Sequence, residues 1–70
     1  MPASIPMPLQ TFLVEVEFFS GEFLYGTEIY TMDACNWYRA EQQALEMSAQ
    51  SIFDNSQIPD LRRVALARAS

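Results

Sequence analysis

Residues 11–31, "TFLVEVEFFSGEFLYGTEIYT", alternate apolar and polar side chains on both sides of a Ser-Gly pair. Alternation with period two, rich in β-branched and aromatic residues and broken by a short turn pair, is the pattern of a β-hairpin. With Ser20-Gly21 as the two central turn residues, a definite register follows. Phe18 opposes Phe23, Val16 opposes Tyr25, Val14 opposes Thr27 and Phe12 opposes Ile29, all on one apolar face. The other face pairs Phe19 with Glu22, Glu17 with Leu24, Glu15 with Gly26 and Leu13 with Glu28. Every glutamate of the segment then lies on that second face, and none directly opposes another, which avoids like-charge pairing.

A two-stranded hairpin is marginal in water and needs a further strand or a helix on its apolar face. Residues 33–53 supply the helix, with no Gly or Pro and good helix formers in the middle. Thr31 or Asp33 is the expected N-cap. Ala34, Trp37, Tyr38, Leu45, Ser48 and Ile52 form its apolar stripe, widened by Ala44 and Met47. Trp37 and Tyr38 are therefore expected in the core, and Cys35, in the first turn, reads as a small buried residue. "DNSQIPD" ends the helix. Residues 61–69, "LRRVALARA", suit a helix by propensity and a strand by the demand for a third strand. The strand is preferred, with Val64 and Leu66 on one side and Ala65, Ala67 and Ala69 on the other. The fold class expected is α+β: a small ββαβ domain over 11–70, its last strand beside the first. Residues 1–10, with Pro2, Pro6 and Pro8, read as an extended arm.

The chain has 70 residues, half of them hydrophobic. A core this small rarely supplies more than about 3–5 kcal/mol without staples. Cys35 is the only cysteine and there is no histidine, so neither an internal disulfide nor a clustered metal site is expected. A second chain is the remaining support. No segment has the run of roughly 20 apolar residues that a membrane span needs. The N-terminal decapeptide has neither the basic nor the apolar region of an export signal, so the expected compartment is the cytoplasm. Without histidine, Ser-His and Cys-His nucleophile pairs are absent. Two glycines cannot build a phosphate loop. The reading is non-enzymatic, with no cofactor.

The net charge is −5 and belongs entirely to one half. Residues 1–38 carry Glu15, Glu17, Glu22, Glu28 and Asp33 with no base; beyond them Glu41, Glu46, Asp54 and Asp60 balance Arg39, Arg62, Arg63 and Arg68. Such a distribution does not suit direct binding to nucleic acid or an anionic membrane. On the acidic face the hairpin register also places Leu13, Phe19, Leu24, Tyr30 and Met32. Apolar anchors set among like charges fit a partner protein with a basic surface, the carboxylates steering encounter and the apolar groups holding the complex. A homo-oligomer through the helix or a strand edge is the alternative.

The layout "TFLVEVEF…GEFLYGTEIYTMDAC", then a helix, then "RRVALAR", resembles small phage-encoded ββαβ proteins, among them short inhibitors of host bacterial RNA polymerase. The resemblance covers residues 11–68 in length, order and pattern. It implies a viral protein acting on a host machine in the host cytoplasm, with arginines of the last strand and acids of the hairpin as contacts. Arg63 matches the first such arginine; Ala65 stands where the second would be. The expected partner-binding residues are Glu15, Glu17, Phe19, Glu22, Leu24, Glu28 and Arg63.

Overall fold

The computed structural model describes residues 8–69. It has the order β1 (Gln10–Ser20), β2 (Phe23–Ala34), α1 (Trp37–Ser48), β3 (Leu61–Ala69). The three strands form one antiparallel sheet in the order β2-β1-β3, and the helix packs on one face of it across all three strands. This is the ββαβ arrangement the pattern predicts, with 61–69 a strand beside β1. Of the proline-rich arm, residues 1–7 lie outside the described residues, and Gln10 already belongs to β1.

Alternation in β1 sets the core. Phe12, Val14, Val16 and Phe18 are buried under the helix, and Leu13, Glu15, Glu17 and Phe19 point to the other side. Burying side chains of this size contributes roughly 1.5–3 kcal/mol each. Opposite them β3 places Ala65, Ala67 and Ala69, and α1 places Ala40, Ala44 and Ser48. Small residues on both flanking elements let the helix sit close over the large side chains of the central strand.

The hairpin register differs from the one the alternation suggests. The central turn residues are Gly21 and Glu22, with Ser20 opposite Phe23. Gly21 has φ of 60°, the value a type II′ turn requires at its first central position and one that glycine adopts without strain. Phe19 consequently opposes Leu24, two positions from expectation, and a bulge at Tyr25 adds a third, so Phe18 opposes Gly26. A shift of two leaves the faces of a strand unchanged; the third residue turns β2 over. Beyond the bulge, Glu28, Tyr30 and Met32 lie on the helix side opposite Val16, Val14 and Phe12, while Thr27, Ile29 and Thr31 take the outer side. The bulge puts Gly26 beneath the Phe53 ring, where a Cβ would lie 2.6 Å from Phe53 Cδ1. Phe53 in turn stacks near Phe18 and Tyr25, at centroid separations of 5.4 and 6.2 Å.

The helix is also shorter than predicted. β2 runs on to Ala34, so Thr31 and Asp33 are strand residues and Cys35 precedes the helix, half-buried. Asn36 is the N-cap, its Oδ1 accepting from the Arg39 N–H at 2.8 Å. Of the predicted stripe, Ala44 and Ser48 are buried and Leu45 packs against the core, but Ala40 completes the buried file in place of Trp37, Tyr38 and Met47, which are exposed, and Ile52, also exposed, lies beyond the helix. Ala and Ser in that file allow a helix-to-sheet spacing that a stripe of Trp and Tyr would forbid. After the helix, Ser20 Oγ donates to the Pro59 carbonyl at 2.7 Å and the Gly21 N–H to the Asp60 carbonyl at 2.9 Å, pinning the return loop to the hairpin tip.

Candidate functional site

Among the described residues, no element covers the face of the sheet opposite α1. Across it, register places Leu13 between Thr31 and Arg68, Glu15 between Ile29 and Leu66, Glu17 between Thr27 and Val64, and Phe19 between Leu24 and Arg62. Val64 and Leu66 share one side of β3, as the alternation predicts, and register puts that side on the open face. Ile29, Leu66 and Leu24 are 58%, 50% and 44% exposed, so no described residue covers any of the three. An exposed apolar surface of this kind, rimmed by polar groups, is typical of interaction sites.

The charges on this face are unequal in their engagement. Asp33 Oδ1 accepts from Thr11 Oγ1 at 2.7 Å. Arg62 lies over the Phe19 ring, 4.8 Å from its centroid, and donates to the Gly21 carbonyl at 3.1 Å. Arg68 sits diagonally from Glu15 without forming an ion pair with it; Arg63–Asp54 is the only ion pair among the described residues. Glu15 and Glu17, at the middle of the central strand, have no side-chain hydrogen bond or ion pair among the described residues. Two unpaired carboxylates bordered by Ile29, Leu66 and Val64 leave room for a cation whose surroundings are apolar.

Of the residues singled out from the sequence, Glu15, Glu17, Phe19 and Leu24 share this face. Glu22 is exposed in the turn. Glu28 lies on the helix side, accepting from the Tyr30 hydroxyl at 2.6 Å. Arg63 faces the helix as well. Its Nη1 donates to the Leu45 carbonyl at 3.1 Å and to Ser48 Oγ at 2.9 Å, and lies 3.3 Å from Asp54 Oδ2. There it satisfies a carbonyl of the helix's last turn, a favourable place for a cation. The Tyr30 hydroxyl is pushed up to about 12, first by burial and then by the bond to Glu28 and that carboxylate's charge, against the opposing charge of Arg63. The Arg63 contacts tie β3 to the end of the helix and the loop after it, while the Tyr30–Glu28 bond lies within β2. Sequence reasoning missed Ile29 on the open face. Gly26 inside a strand was the available sign, since an interior strand glycine often marks a bulge.

No protein-family model, curated protein or solved structure matches the chain. The described residues enclose no pocket and contain no group of three metal-ligating side chains. No helix is long and apolar enough to cross a membrane.

Proposed function

We propose that this chain is a non-enzymatic interaction protein whose open sheet face docks on a basic patch of a partner protein. The observation that carries the reading is the pair Glu15 and Glu17, unpaired at the centre of a face whose surrounding side chains are largely apolar. A lysine or arginine of the partner would meet the carboxylates, while Leu24, Ile29, Val64 and Leu66 exclude water around the contact. The resemblance in layout supports a phage origin and a host macromolecular machine as target, with bacterial RNA polymerase its narrowest form. The arginine contacts that the resemblance implies do not carry the proposal, because Arg63 is engaged with Asp54 and Ala65 replaces the second.

The test is capture from bacterial lysate, with purified bacterial RNA polymerase as a separate arm, comparing the native chain with Glu15→Lys/Glu17→Lys. Reversal should weaken binding of the specific partner at least about tenfold, since close interfacial charge pairs couple by roughly 1.5 kcal/mol or more and 1.4 kcal/mol is a factor of ten. Rising salt should weaken the native complex. Equal capture by the reversed chain, its circular dichroism unchanged, would overturn the assignment of this face.

A further inference from the structure

The two edges of the sheet are finished differently. At β3, Glu41 reaches from the helix, and its Oε2 accepts from the Ala67 N–H at 2.9 Å. That bond fixes the backbone alternation. Ala67 points away from β1, so Val64, Leu66 and Arg68 exchange bonds with Glu17, Glu15 and Leu13. Val14 and Val16 must then bond to β2, and Thr27, Ile29 and Thr31 turn their N–H and C=O groups outward. β2 is twelve residues long and contains no proline, lysine or arginine. Natural sheets blunt such edges with lysine, proline, inward-pointing charge, a bulge or a covering element. β2 has the inward-pointing Glu28 and a bulge at Tyr25 near the turn, and Thr27, Ile29 and Thr31 beyond the bulge keep the outward backbone groups that can template another strand.

We infer that β2 pairs with β2 of a second copy, antiparallel about a two-fold axis at Ile29, to make a continuous six-stranded sheet. The register is selected by the side chains. With the axis at Ile29, that exposed isoleucine meets its own copy, Thr27 meets Thr31 of the second copy, and all of these have outward-facing backbone groups. Glu28 meets Tyr30 of the second copy, so no carboxylate opposes another. Moving the axis to Glu28 would set Glu28 against Glu28, a like-charge pair that destabilises a ladder. Moving it to Tyr30 would place Ile29 against Thr31 and forfeit the apolar pair. The alternative of β2 on β3 of the next copy makes an open, growing array rather than a closed pair, and Glu41 occupies the backbone donor it would need. A second copy is thus the occupant that this edge fits, and a core of this size gains from such support. The contact uses the β2 edge rather than Glu15 and Glu17, and of the docking residues named above it shares only Ile29, which borders Glu15.

Sedimentation at several concentrations, with circular dichroism as the fold control, decides the matter. The native chain should sediment at twice the chain mass. Ile29→Lys, the charge that edge strands commonly carry, should sediment at the single-chain mass with an unchanged spectrum. Ile29→Cys in a Cys35→Ser background should form a covalent dimer on mild oxidation, whereas Leu66→Cys in the same background should not. A native chain of single mass throughout the concentration series, a dimer that survives Ile29→Lys, or equal cross-linking by Leu66→Cys would each overturn the inference. Glu15→Lys/Glu17→Lys should remain dimeric, which separates loss of this contact from loss of partner docking.

Discussion

Substituting alanine for Gly26 probes the element that reorganises the hairpin. An ideal Cβ at this position would lie 2.6 Å from Phe53 Cδ1 and 2.8 Å from Cγ and Cε1, where ordinary van der Waals contact begins near 3.4 Å. The ring must therefore retreat by a large fraction of an ångström. It is held between Phe18 and Tyr25, and the Tyr25 hydroxyl donates to the Phe53 carbonyl, so retreat disturbs aromatic pairs worth about 0.5–1.5 kcal/mol each. Overpacking of this type costs about 1–3 kcal/mol. Against it stands a gain of about 0.4–1 kcal/mol from a less flexible unfolded chain, available because Gly26 is not among the residues with positive φ. The net expectation is a loss of roughly 1–2 kcal/mol, or a Tm lower by roughly 4–16 °C for a domain of this size. Thermal and urea unfolding followed by circular dichroism would measure it, in a cycle with Phe53→Ala. Once the ring is gone, Gly26→Ala should be neutral or stabilising, giving a coupling energy of about 1–3 kcal/mol. If Gly26→Ala costs the same in both backgrounds, Phe53 is not what requires glycine there, and the account of the bulge fails.

Arg63→Met should lower stability by about 1–3 kcal/mol in urea unfolding, because it leaves Asp54 without its counter-charge and removes a donor from Leu45 and Ser48; an unchanged midpoint would show that the guanidinium is not structural. Tyr30 makes the alkaline limb of stability informative. Its folded value, pushed up to about 12, stands above the ordinary value of 10.0, so the folded chain holds the proton more tightly. The associated stabilisation is fully present below pH 10 and is lost as pH rises toward 12. Tyr30→Phe should flatten that part of the pH profile relative to the native chain, and identical slopes would remove Tyr30 as the cause.

Much of the architecture was legible in local pattern. The alternation in residues 11–19 determines which side of β1 is buried, and "RRVALAR" separates Val64 and Leu66 from its alanines in the same way, because side-chain direction in a strand has period two whatever its neighbours do. The acidic character of the open face follows from this: Glu15 and Glu17 lie on β1, whose orientation is local. The register of β2, and with it the sides taken by Glu28, Ile29 and Tyr30, could not be read locally. It depends on one bulged residue, and that residue is favoured by a contact between Gly26 and Phe53, 27 positions away in the chain. Helix rotation was hidden for the same kind of reason. Trp37 and Tyr38 satisfy an apolar stripe as well as Ala40 and Ala44 do, and only the space left above Val14, Val16 and Phe18 selects the small residues to face the sheet. Sequence alone thus determines the periodic elements and their buried candidates, while tertiary packing chooses among near-equal registers and rotations, since those differ only in how side chains distant in sequence fill a common volume.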